Sequence, residues 1–111
     1  MAATVVSSAG TASAGTNGQQ LRFYDSEHMV YSVYVVGPDQ NGNTVSHCFS
    51  TPTTDNHFTG WWWKGQVRLY IYTDVYNWNC NNMQEGMVGV NVPAYQSGSD
   101  WYTVYDVGWW D

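Results

Sequence analysis

The chain has 111 residues, only 11% of them charged, and a formal net charge of −6. That length suits one domain with a modest core. Its three long cations, Arg22, Lys64 and Arg68, are too few to track a phosphate backbone or an anionic membrane surface, so nucleic acid is excluded as a partner on charge grounds. No apolar run is long enough for a membrane-spanning helix, so no membrane span is expected.

Residues 1–20 are mostly Ala, Ser, Thr and Gly around one apolar pair, Val5 and Val6. They read as a small-residue arm, with an edge or exchanged strand centred on Thr4 to Val6, ahead of a domain spanning 21–111. From there the pattern is a series of strands. Leu21–Tyr24 is short and alternating. Met29–Val36 is β-branched and aromatic, and the turn-rich stretch Gly37 to Asn43 joins it to Thr44–Ser50 as the clearest hairpin in the chain. His57–Trp63 and Gln66–Thr73 follow, with Lys64-Gly65 between them as a tight turn. Asp74–Gly86 is polar and Asn-rich and reads as a long loop. Met87–Val92 is a strand stopped by Pro93, Tyr95–Asp100 is a loop, and Trp101–Trp110 is the last strand.

Val67, Leu69 and Ile71 alternate with Arg68, Tyr70 and Tyr72, and Val88, Val90 and Val92 alternate with Met87, Gly89 and Asn91. Val, Thr, Tyr and Trp dominate where helix formers are scarce. The expected fold is all-β, an antiparallel β-sandwich with essentially no helix; a small β-barrel is the alternative. Cys48 and Cys80 are the only cysteines, too few for a zinc site without further ligands. They are expected to form one disulfide closing a loop of about 33 residues, worth roughly 3–4 kcal/mol on the chain-entropy model, and to meet across the sheets.

No catalytic motif is present. His28, His47 and His57 lie in no known signature, and His47 and its neighbour Cys48 point to opposite faces of a strand. Asp74, Glu85, Asp100 and Asp106 offer carboxyls for a glycosidase pair, but a chain this short leaves little room for a deep cleft beside its core. Asp74 with Asn77, Asn79, Asn81 and Asn82 offers oxygen donors for calcium, yet an Asn-rich loop more often satisfies its own backbone. The protein is therefore expected to be no enzyme, with no cofactor and no metal.

The aromatics carry the functional reading, because seven Trp and nine Tyr exceed what so small an interior can hold. An indole or phenol ring presents a flat apolar surface to the C–H face of a sugar, and Asp, Asn and Gln pair with its hydroxyls. Three places combine these: Asp55, Asn56 and His57 leading into Trp61, Trp62 and Trp63; Asp74, Tyr76, Asn77, Trp78 and Asn79; and Tyr95 and Gln96 through Asp100, Trp101 and Tyr102. Each also has a packing reading, strongest for the Trp61–Trp63 run, where at least one indole belongs in the core. The expected function is a lectin-like carbohydrate-binding protein with a glycan as partner, secreted or extracellular, and a homo-oligomer because single shallow sites bind weakly. The alternative is a self-assembling structural subunit of a filament, coat or capsid, using residues 1–20 for strand addition. A third reading is an inhibitor or toxin-like binder of proteins.

Overall fold

The computed structural model describes residues 17–106. The proposed strand at Thr4 to Val6 and the pair Trp109 and Trp110 lie outside them. Seven strands run in order: β1 Gln19–Tyr24, β2 Ser32–Pro38, β3 Thr44–Ser50, β4 Asp55–Trp63, β5 Gly65–Tyr72, β6 Gly86–Val92 and β7 Trp101–Tyr105. They form a three-stranded sheet, β4-β1-β7, and a four-stranded sheet, β3-β2-β5-β6, packed face to face as a sandwich and not closed into a barrel. All pairings are antiparallel except β1 with β7, which is parallel.

Period-two alternation builds the core. Leu21, Phe23, Phe58 and Val104 from the smaller sheet meet Val33, Val35, Val67, Leu69, Ile71 and Val92 from the larger one, and Trp63 is fully buried among them. Each such side chain contributes about 1.5–3 kcal/mol on burial. Phe58 stacks between Phe23 at 6.4 Å and Phe49 at 4.1 Å between ring centroids, tying β1, β4 and β3 together.

Three local differences from the sequence pattern have physical causes. β2 begins at Ser32 rather than Met29. The Asp25 carboxylate accepts hydrogen bonds from the N–H groups of Met29 at 3.2 Å and Val30 at 2.9 Å, which holds those residues out of the ladder. The Lys64-Gly65 turn does not close a hairpin; it carries the chain from one sheet to the other. The cause is upstream. β1 pairs Leu21 with Phe58 and Gln19 with Trp63, so Thr59 to Trp62 bulge opposite the single residue Gln20. Gly60 takes the left-handed conformation this bulge needs, at φ 90°, and its N–H donates to Gln20 Oε1 at 2.7 Å. The bend brings Trp63 to a bridge with Asp39, and Lys64 N–H to Pro38 O at 3.1 Å, so β4 ends against the larger sheet.

The third difference concerns the disulfide. Cys48 and Cys80 are bonded, with Cα atoms 6.1 Å apart. The bond joins β3 to the 73–85 loop on the outer face of the larger sheet. It does not cross between the sheets, because Cys48 alternates with His47 and Phe49, which point inward toward Trp61 and Phe58.

Candidate functional site

The outer face of β4-β1-β7 brings polar and aromatic side chains into one array. Along β1 the outward positions are Gln20, Arg22 and Tyr24. Register places Asp55 beside Tyr24 and His57 beside Arg22 on β4, with Trp101, Thr103 and Tyr105 flanking the same three residues on β7. Arg22 grips Asp55 with two parallel bonds, Nε to Oδ1 at 2.7 Å and Nη2 to Oδ2 at 2.9 Å. The hydrogen bond from Arg22 holds the Asp55 carboxyl below the usual carboxylate range, and its return holds the guanidinium above its ordinary value. His57 Nδ1 lies 3.7 Å from the same Asp55 Oδ1.

Rings flank this ion pair on both sides. The Arg22 guanidinium carbon sits 5.6 Å from the centre of the Tyr24 ring, within cation–π range. Tyr24 meets Tyr105 edge to face at 5.9 Å. At the other end His57 and Trp101 reach across β1 to meet edge to face at 4.8 Å. Beneath them Gln20 is buried, and its carboxamide oxygen is committed to the Gly60 N–H. Trp101 and Tyr105 stand four residues apart on one strand, so the array is about 13 Å long by the usual rise.

A second aromatic group lies on the opposite side of the sandwich. Trp78 packs on Tyr31 at 4.7 Å between centroids, and Tyr76 stands 6.2 Å from the same ring. Tyr76 is 77% exposed and holds φ at 65°, an uncommon conformation for a bulky residue. The loop bearing these rings is sewn to the sheet. The Ser32 hydroxyl donates to Asn77 O at 2.7 Å and accepts from the Cys80 N–H at 3.0 Å. Asn77 closes the loop internally, donating to Asn81 O at 2.8 Å and accepting from Asn81 N–H at 3.0 Å.

The residues expected from sequence therefore separate. His57 and Trp101 meet on the smaller sheet's outer face. Tyr76 and Trp78 meet over Tyr31, with Asp74 and Asn79 exposed in the same loop. Asn77 is buried and engaged within that loop, which fits a positioning role better than contact with a ligand. Tyr95 is exposed in the loop before β7. Asp100 is half-buried beside Trp101; its backbone carbonyl accepts from Gln20 N–H at 2.8 Å, and burial raises its carboxyl above the usual range. Trp61 is half-buried, stacked on His47 at 4.5 Å and near Trp63 at 6.0 Å. Trp63 is inaccessible, so no ligand can stack on it.

Asp55, expected beside His57, joins the array, and Arg22, Tyr24 and Tyr105, which the sequence reading does not single out, complete it. Arg22 and Tyr24 are polar alternates on a strand whose other positions are core, which was the available signal. Their meeting with Asp55 and Tyr105 depends on the β1 pairings, which are nonlocal. Comparison of this chain with family models, with curated proteins and with solved structures finds no match, so the site is read from its own chemistry.

Proposed function

We propose that the protein is a non-enzymatic carbohydrate-binding module whose sugar site is the outer face of β4-β1-β7. The observation that carries this reading is the row of His57, Trp101, Tyr24 and Tyr105 rings around the Arg22–Asp55 pair on one strand face. Rings offer stacking surfaces to the apolar faces of pyranoses. The free edges of a bidentate ion pair offer a donor and an acceptor at fixed spacing for vicinal hydroxyls. Because Asp55 already balances Arg22 and the chain carries −6 overall, the glycan is neutral or cationic rather than anionic.

A shallow face of this kind binds weakly, so the reading carries a homo-oligomer with it, in which several copies act together. The disulfide fits an oxidising compartment, which supports a secreted location.

Titration with neutral and cationic oligosaccharides, followed by calorimetry and indole fluorescence, tests the proposal. Trp101→Ala should abolish binding and Trp78→Ala should leave it intact. Binding lost in Trp78→Ala and retained in Trp101→Ala would move the site to the loop on the opposite face. No binding to any neutral or cationic glycan would sink the carbohydrate reading and favour the assembly alternative, in which removal of residues 1–18 abolishes light-scattering assemblies while the fold persists.

A further inference from the structure

Two carboxyl groups are buried together at one end of the smaller sheet. Asp25 follows the last residue of β1 and Asp106 the last residue of β7, and both are essentially inaccessible. They are adjacent: the parallel β1–β7 register ends at Tyr24 beside Tyr105, so the next residues, Asp25 and Asp106, lie side by side. Two ionised carboxylates buried side by side repel and can only accept hydrogen bonds, so the arrangement favours a proton on one of them. The remaining contacts are few. Asp25 Oδ1 accepts from Met29 N–H and Oδ2 from Val30 N–H. Asp106 Oδ1 accepts from the Ser26 hydroxyl at 3.3 Å, and Asp106 Oδ2 has no partner among the described residues.

We propose that the Asp25–Asp106 pair is a proton-controlled latch, in which one shared proton holds the ends of β1 and β7 together and its loss loosens that end of the sheet. The proton fits this place better than a metal cation does, because both Asp25 oxygens already face N–H donors. No side-chain cation replaces it. Arg22 is held by Asp55, Lys64 donates to Asn17 Oδ1 at 2.7 Å, and Arg68 lies on β5 in the other sheet. Residues 1–16 and 107–111 contain no Lys, Arg or His.

The titratable neighbours do not compensate either. Glu27 and His28 are exposed in the loop that starts at Asp25, and the His28 ring sits against Pro52 O at 2.9 Å. Tyr24 and Tyr105 face outward on β1 and β7. The 51–54 segment, whose Thr54 O accepts from Asp25 N–H at 2.7 Å, has no titratable side chain. Burial, then the Asp106 carboxyl, pushes Asp25 up to about 6 against the opposing pull of the Val30 and Met29 N–H groups.

Above that pH the shared proton passes to solvent, leaving two buried negative charges whose repulsion is relieved by opening. The parts released are the Asp25 bonds to Met29 and Val30 and the Asp106 N–H bond to Tyr24 O at 3.0 Å. The latch does not depend on the carbohydrate reading.

Amide hydrogen exchange on the whole protein at about pH 5 and about pH 7.5, corrected for intrinsic rates, reads it directly. Protection at Val30 and Asp106 should fall about tenfold or more at the higher pH, while that of Leu69 in the other sheet stays constant. Asp106→Asn, which donates to Asp25 without a titrating proton, should remove the fall, and His28→Gln should keep it. Unchanged protection in the wild type, a fall persisting in Asp106→Asn, or its loss in His28→Gln would each overturn the latch. Restoration of protection at high pH by added calcium would overturn it in favour of a cation site. If Asp106→Asn does not fold, carboxyl-carbon NMR titration of the wild type decides: a coupled step near pH 6 supports the latch, and every carboxyl titrating below about pH 5 sinks it.

Discussion

The two outer faces of the sandwich start from the same period-two alternation and are finished in opposite ways. On β4-β1-β7 the outward side chains other than Gln20 reach solvent, and their order comes from strand register: Arg22 finds Asp55, Tyr24 finds Tyr105, and His57 finds Trp101. On β3-β2-β5-β6 the 73–85 loop folds back over the sheet. It is fixed by Cys80 to Cys48 and by Asn77 and Cys80 to the Ser32 hydroxyl. Tyr72, an outward position by alternation and the register partner of Ser32, is buried on this face. Aromatic content therefore does not distinguish a binding face from a packed one. What distinguishes them is whether a loop has its own hydrogen bonds satisfied well enough to act as a roof.

The largest effect that separates these roles concerns the indoles. Trp63→Ala removes a fully buried ring from between the sheets and should cost about 3–5 kcal/mol in denaturant unfolding. Trp101→Ala removes a half-buried ring from the open face and should cost well under half of that while eliminating the proposed glycan binding. Equal losses of stability would mean that Trp101 is a core residue and that the open face has no free indole.

Next in size is the roof. Replacing Cys48 and Cys80 together by Ser should lower stability by roughly 3 kcal/mol, since the bond closes a segment with a sequence separation of 32. Tyr76 should then leave its left-handed conformation, and Trp78 emission should shift as it parts from Tyr31. Ligand binding on the opposite face should persist wherever the variant stays folded. Loss of binding in a folded variant would mean that the two faces are coupled, against the separation drawn above.

Several of these elements were legible in the sequence. Thr44–Ser50 reads as a strand with the bounds it has, because turn residues stop it on one side and Pro52 on the other. The inward faces of β5 and β6 follow from strict alternation of Val, Leu and Ile. Strand partners are another matter. Alternation says which side chains share a face but not which strand lies alongside, so the parallel β1–β7 pair and the change of sheet at Lys64 had no local signal. The same gap hid the site. His57 and Trp101 each look like candidates, yet they become one site only because β1 lies between β4 and β7. Trp63 looked equivalent to Trp61 until the bulge at Gly60 turned the end of β4 into the core.

That bulge gives the third prediction. Gln20→Ala leaves the Gly60 N–H without its acceptor in a partly buried place and should cost about 1–3 kcal/mol. It also removes the support beneath His57 and Trp101, so affinity should fall more than stability alone explains. Calorimetric titration and chemical unfolding on the same sample separate the two losses. An affinity that tracks stability would mean that Gln20 only closes the bulge.

The smallest expected effect isolates the ion pair. Asp55 is an acid whose folded-state pKa is depressed by its bond from Arg22, so any stability it adds is present above the ordinary carboxylate range. It is lost as pH falls through the lowered value. The pair is solvent-exposed and screened, so Asp55→Asn should change the melting temperature only slightly at neutral pH and not at all near pH 2. Binding at the proposed site should respond far more, because the carboxylate orients Arg22 and would accept from a sugar hydroxyl there. Melting curves at the two pH values, paired with titration at neutral pH, make the contrast. A large stability loss with affinity unchanged would show that the pair serves the fold alone and that the polar anchor of the open face lies elsewhere.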